Sequence, residues 1–527
     1  MLRLARAVVA ALLLCTATSA VSAQTLRIAS RATPAVDPHF QWLTTNEAYS
    51  RHIFDSLVRR DAESRIEPGL AESWTMVDPL TWEFRLRRGV KFHDGSEFTA
   101  EDVRFSLERV AGLPNNPNPY TSNIRSIRQV EVIDPYTVRF HSETPDPLLH
   151  APLANIYIVS HRVARDAGPQ DFRSGRAAVG TGPYRFVSYT PDAELVLERN
   201  EGYWDQKPVW ERVVFRIVSG DASRVSALLA GDVDVIDYLP SRDVATLERD
   251  QRVAVHKGAS DRLMYVMLDV GRSPSPYVTD PEGRPLERNP LMDQRVRRAM
   301  AMSINQEALV SNVMDGMGVV TNQMMPPGMI GWDPDFPGVR YDVAGARALL
   351  AEAGFPNGFG LGLHCSNNRY LNDARLCQAI GQMFSRIGIR TRVETMPLNV
   401  FFPRIAVPRS EFSAILMGWG NSSTGTAAGF LTALMHSHDP AKRRGHANRA
   451  YYSDANYDAM VEAAVTELDA DRRAALMREA VRYASETYVC IPLLVQGTAL
   501  ATRRNLVAET RNDEMTLAMA VRPVSSR

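Results

Sequence analysis

From Thr25 to the C-terminus, short apolar runs bounded by turn residues alternate with amphipathic stretches at helical spacing, and this alternation confines the chain to mixed α and β layers. Thr25-Leu26-Arg27-Ile28-Ala29 alternates like a strand, and Asp37-Pro38-His39 then turns the chain. Trp82-Glu83-Phe84-Arg85-Leu86 alternates again before Gly89 and the turn at His93-Asp94-Gly95, and the two strands are expected to share a small antiparallel sheet. Thr99 followed three residues later by Asp102 resembles a capping box, which predicts a helix over about 100–110. Further helices are predicted over 224–230 with Gly231 as the stop, from an Asp342 cap to Gly354, over about 374–387, and from an Asp469 cap to about 485. Strands are predicted at 233–236, at 389–393 and in the apolar stretch 488–495.

A chain of 527 residues is long enough for two or three domains with a large buried core. Lys plus Arg equals Asp plus Glu at 60 each, which removes the global electrostatic argument for a nucleic-acid partner. Residues 1–23 read as a cleavable secretory signal: Arg3 and Arg6 give the positive start, Ala7 to Cys15 an apolar stretch, and Val21-Ser22-Ala23 a small-residue cleavage site. The apolar stretch is far short of the roughly 20 residues of a spanning helix. The expected mature protein begins at Gln24 and is exported, soluble and nearly neutral. Cys365 and Cys377 lie across a polar loop, and in an exported protein they are expected to join, at about 3 kcal/mol in the chain-entropy account. Cys490, between Val489 and Ile491, reads as a small core residue.

Several segments then point to one family. They are Leu70-Ala71-Glu72-Ser73-Trp74, the run FRLRRGVKFHDGSEFTAEDVRFSLERV from Phe84 to Val110, GTGPYRF from Gly180 to Phe186, Leu197-Glu198-Arg199-Asn200 with Tyr203-Trp204, DASRVSALLAGDVDVID from Asp221 to Asp237, and Asp293-Gln294-Arg295-Val296-Arg297. In this order the chain resembles the family 5 extracellular solute-binding proteins of ABC transporters, which include oligopeptide, dipeptide, nickel and glutathione binding proteins. The resemblance implies a two-lobed α/β periplasmic binding protein fold, type II, with the extra domain typical of peptide-binding members. Lobe one would comprise 24–262 plus 494–527, with the extra domain at about 60–180, and lobe two 263–493. The partners implied are a small-molecule or short-peptide ligand and the permease and ATPase subunits of an inner-membrane importer; no cofactor is implied, and the protein is expected to be a monomer. Gly95 and Gly182 read as turn residues, and Trp74, Trp82 and Phe92 as core.

Three segments are candidates for the ligand cleft. The loop after His39 carries Trp42 and Thr44, which in similar peptide-binding proteins correspond to positions beside the ligand. The run Met417 to Gly425 sets Trp419 among glycines, Asn421 and Ser422, giving one apolar wall with hydrogen-bonding groups beside it. Peptide-binding relatives commonly have an Asp three residues after this tryptophan to pair with the peptide ammonium; Ser422 stands there and cannot make that charge-assisted bond. The third segment offers Arg404 as a carboxylate clamp, and Tyr120 in a polar loop is a further candidate.

The sequence lacks G-x-S-x-G, H-E-x-x-H and P-loop patterns, so the short signatures of serine hydrolysis, zinc proteolysis and nucleotide binding are missing. His436, His438 and His446 fit no familiar metal spacing, and Lys442, Arg443 and Arg444 beside them would repel a cation. The expected activity is capture of a short peptide or peptide-like solute without bond chemistry. An opine-like conjugate, glutathione, a metal chelate, haem, or a sensory role in place of transport remain the alternatives.

Overall fold

The computed structural model describes residues 24–421 and 425–524; the expected signal segment and Ser422 lie outside the described residues. Among these, ten strands form one path, with Thr25–Ser30, Arg212–Ile217, Glu194–Arg199 and Tyr184–Thr190 towards one end and Ala414–Gly420, Gly360–Ser366 and Val278–Thr279 at the other. Its centre is an antiparallel pair of unusually long strands, Val253–Leu268 and Cys490–Arg503. Both are apolar on two faces along much of their length, as expected of strands covered by helices on each side. Their outer halves pack into one cluster with Ala29, Leu228 and Val253, and their inner halves into two larger clusters drawn from residues 263–495.

The pairing of these two strands is interrupted between Ala259 and Leu263. A polar node fills the break. Ser260 Oγ donates to the Gln496 carbonyl at 2.8 Å, Gln496 Nε2 donates to Glu514 at 3.1 Å, and Arg262 grips the same carboxylate through Nε and Nη2 at 3.1 and 2.9 Å. An irregularity that concentrates buried polar groups between two apolar halves is a natural place for the strands to bend.

A separate four-stranded antiparallel sheet contains Ala71–Asp78, Thr81–Leu86, Ile127–Asp134 and Thr137–Ser142, and its cluster with Phe84, Phe98, Leu107 and Phe140 draws on residues 57–158. This corrects the expectation that the strand at 25–29 and the strand at 82–86 share a sheet. Thr25–Ser30 instead pairs in parallel with Arg212–Ile217 and Val235–Ile236. Alternation in sequence identified both strands but carries no information on which partner each one finds.

The helix predicted at 100–110 runs Ala100–Gly112, and the Thr99 N–H donates back to Asp102 Oδ2 at 2.9 Å. Gly231 ends the helix Asp221–Ala230 in the left-handed conformation, and Asp342 and Asp469 cap Val343–Glu352 and Ala470–Thr487 through their side chains. Gly95 occupies a turn with φ of 88°, but Gly182 has a different reason to be glycine. Its N–H donates to the Ile53 carbonyl at 3.0 Å, and a Cβ there would stand 2.6 Å from the Ile53 carbonyl carbon. Much of GTGPYRF is therefore a close-packing device. Cys365 and Cys377 are joined, with Cα atoms 6.4 Å apart, tying the strand Gly360–Ser366 to the helix Asp373–Arg386. Cys490 is fully buried. No helix among the described residues is long and apolar enough to cross a membrane.

Candidate functional site

The loop at 37–44 is held rigidly before it reaches any ligand. Arg109 donates to both oxygens of Asp37 at 2.9 and 2.6 Å and to His39 Nδ1 at 3.0 Å. Because a guanidinium can only donate, Nδ1 is the acceptor and Nε2 carries the proton given to the Tyr157 carbonyl at 2.7 Å. Burial, and then the Arg109 charge, push the His39 imidazole down to about 4, which keeps it in this neutral form. Beyond this anchor the Trp42 N–H donates to the Asn118 carbonyl at 2.7 Å. The Trp42 ring lies 5.9 Å from that of Tyr120, and its Nε1 donates to Glu47 at 3.0 Å.

Trp42 forms one wall of a cavity of about 1100 Å³. Thr44 and Glu47 line it from the helix Thr44–Ile53, and Trp419 lines it from the end of the strand Ala414–Gly420. Trp419 stands opposite Leu263 in the sheet, one residue past Arg262, so the strand break described above borders the cavity. The Trp419 Nε1–H is buried without a hydrogen-bond partner among the described residues. Tyr370 adds a third aromatic wall, its hydroxyl donating to the Gly418 carbonyl at 3.3 Å.

The sequence candidates thus divide. Trp42, Thr44 and Trp419 meet at one cavity. Tyr120 does not line it; the ring is buried and supports Trp42 from behind. Asn421 is also buried and holds the Asp261 carbonyl through Nδ2 at 3.3 Å. Arg404 lies away from the cavity lining, bound to Glu411 at 2.7 Å and stacked 4.5 Å over Phe412, so its charge is already occupied. Ser422 is not among the described residues.

Sequence reasoning missed the charged lining. Arg369 and Tyr370 line the cavity from the polar loop between the two cysteines, and the pair Arg-Tyr in such a loop is a usable sequence signal. Lys442, Arg443 and Arg444, which in the sequence argue against a metal, line the cavity, and His446 and Arg449 line it with them. Glu47 faces the same space from below Trp42. Burial raises its carboxyl to about 7 against the opposing effect of the Trp42 hydrogen bond, with Asp513 raising it further and Arg60 and Arg51 lowering it. Three of the other lining acids have cationic partners, Glu462 with Arg444 at 2.8 Å, Glu143 with Arg128 and Asp513 with Arg511 at 2.6 Å, whereas Asp146 accepts the Leu148 N–H at 3.0 Å and forms no ion pair among the described residues. A ligand ammonium entering this cavity meets mostly basic groups and engaged acids, with Asp146 as the half-buried lining carboxylate that has no ion pair among the described residues.

No group of three or more His, Cys, Asp or Glu side chains among the described residues is arranged to hold a metal ion. The chemistry on offer is aromatic enclosure with cationic hydrogen-bond donors, which suits binding and orientation.

Residues 65–441 match the family described as bacterial extracellular solute-binding proteins, family 5. Heme-binding protein A of Haemophilus influenzae is 28% identical over 467 residues, covering 83% of this chain and 80% of that protein. The glutathione-binding protein of Salmonella choleraesuis is 28% identical over 481 residues, covering 89% and 88%. Among solved structures, HbpA2 from Haemophilus parasuis superposes with a TM-score of 0.79 at 25% identity, covering 95% of this chain and 100% of that one.

Proposed function

The chain belongs to the bacterial extracellular solute-binding proteins of family 5 and has their two-lobed type II fold, and from that premise we propose that it works in the periplasm as the capture component of an ABC importer for a small peptide or peptide-like solute. Its relatives are binding proteins that perform no bond chemistry, and the same is proposed here. The observation that carries the reading is the cavity walled by Trp42 on one side and by Tyr370 and Trp419 on the other, beside the break in the two central strands. Lobe one is assigned to 24–262 plus 494–527, with the extra domain at about 60–180, and lobe two to 263–493. Ligand contacts made to both lobes favour the closed arrangement, with the break at Ser260–Arg262 as hinge. The closed form would then be handed to the permease.

Rigid aromatic side chains contribute a large share of binding energy where they are well enclosed. Trp419→Ala is expected to weaken ligand affinity by about 2 kcal/mol, roughly 30-fold, with an unchanged circular dichroism spectrum. Isothermal titration with a bound solute checks this. Unchanged affinity in that variant would remove Trp419, and the cavity with it, from the binding site.

A further inference from the structure

The base of the cavity, below Trp42, is built around one carboxyl. Glu47 lines it from the helix Thr44–Ile53, is only 6% exposed, and forms no ion pair among the described residues. Its Oε1 accepts the Trp42 Nε1–H at 3.0 Å, and the carboxyl has no second hydrogen-bond partner among the described residues. A carboxylic acid that accepts on one oxygen carries its proton on the other. Oε2 is therefore the atom through which Glu47 can donate to an occupant of the cavity.

The charged groups that act on this carboxyl come from three parts of the chain. Arg51 lies on the same helix, Arg60 ends the strand Val58–Arg60, and Asp513 comes from the C-terminal segment. Asp513 is shared by Arg511 at 2.6 Å and Arg51 at 3.6 Å, and Asp261 acts on Arg60. Before Glu47 is counted, three guanidiniums thus face two carboxylates. Tyr120 and Tyr157 close the site with hydroxyls that burial keeps un-ionised, and the Tyr157 hydroxyl donates to the Glu47 carbonyl at 3.2 Å. A ligand ammonium here would need Glu47 ionised in a buried position and would itself face Arg51 and Arg60. A ligand oxygen is favoured by the same cations, and a neutral carboxyl can donate to it without adding a second negative charge.

Resting on the peptide-like reading above, we propose that Glu47 meets the ligand as a neutral carboxylic acid, its Oε2–H donating to an acceptor oxygen of the solute at the base of the cavity. Burial supports this by holding the carboxyl at about 7. Ionised Glu47 would turn one acceptor towards another, so only the protonated fraction is competent, and apparent affinity falls with that fraction. At pH 8 the fraction is about one in ten. Gln in this place accepts from Trp42 through its amide oxygen and donates from Nε2 at every pH.

Isothermal titration of Ala-Ala and N-acetyl-Ala-Ala from pH 6 to pH 8 tests this in the unmodified protein, in Glu47→Gln and in Asp146→Asn. Taking the ratio of dissociation constants, unmodified over Glu47→Gln, at each pH cancels any ionisation of the probe itself. That ratio is expected to rise about tenfold over the range, because affinity is lost only where Glu47 can ionise. Near pH 7.5 the unmodified protein should take up a fraction of a proton on binding, read from the dependence of the heat on buffer, and Glu47→Gln should take up less. Asp146→Asn, which removes the other lining acid without an ion pair, should keep the pH dependence of the unmodified protein. A flat ratio, a ratio that falls as pH rises, as it would if Glu47 received an ammonium, or a dependence abolished by Asp146→Asn overturns the inference while leaving the peptide-like reading intact. Failure of both compounds to bind overturns that reading, and the inference with it.

Discussion

Glu514→Gln is expected to cost about 3–5 kcal/mol of folding stability, because it strands a buried guanidinium. Arg262 and Glu514 are 8% and 7% exposed, and Arg262 donates to the carboxylate through two nitrogens. Burial alone would push the Glu514 carboxyl up, but the charge and hydrogen bonds of Arg262, with Arg369 behind it, hold it below the ordinary carboxylate range. Gln preserves the shape and one acceptor oxygen, so the variant isolates the charge. The position adds a consequence for function, since the pair sits where the strand Val253–Leu268 breaks its pairing with Cys490–Arg503. Urea unfolding gives the stability directly. The double variant Arg262→Gln with Glu514→Gln should recover part of the loss, because no uncompensated charge remains. A loss below about 1 kcal/mol in the single variant would mean that solvent reaches the pair and that the node does not order the strand break.

The second large effect is a pH dependence centred on Glu47. Its carboxyl is raised in the folded state from 4.5 to about 7, chiefly by burial. A group with this shift binds more protons folded than unfolded, so its stabilising contribution is complete below the unfolded value and declines as pH rises through the folded one. The decline is on the order of 3 kcal/mol between about pH 4.5 and pH 8. Glu47→Gln keeps the acceptor for Trp42 Nε1 and cannot ionise. The variant should therefore match the unmodified protein near pH 5 and exceed it in stability above about pH 8. A stability difference between the two proteins that stays flat from pH 5 to 9 would show that Glu47 is ionised at the base of the cavity throughout.

Much of the fold is legible in the chain because local signals act locally. Asp342, Asp469 and Thr99 cap helices, and Gly231 stops one, through contacts within a few residues. Partner choice was less accessible: the strand at 25–30 reads correctly as a strand, but its neighbours at 212–217 and 235–236 are fixed by packing of segments about 200 residues away. The same contrast separates the site residues. Trp42 and Trp419 stand out as aromatics in polar loops and meet at the cavity. Arg369, Lys442, Arg443 and Arg449 do not stand out, because only folding brings these distant segments to the same cavity. Arg404 illustrates the converse: a free clamp in sequence, it is bound to Glu411 in the fold.

The central claim is that this chain captures a peptide-like solute in the cavity between Trp42 and Trp419. Thermal unfolding of the protein from Gln24 onward tests it most directly, against a panel of di- to pentapeptides, carboxylate-capped peptides, glutathione, opine-like conjugates, nickel chelates and haem. A true ligand at 100 times its dissociation constant stabilises the native state by about 2.7 kcal/mol. The account predicts that peptide-like members raise the transition, and that Trp419→Ala loses most of the rise. A transition moved only by haem or a nickel chelate, or by no member at saturating concentration, would contradict it.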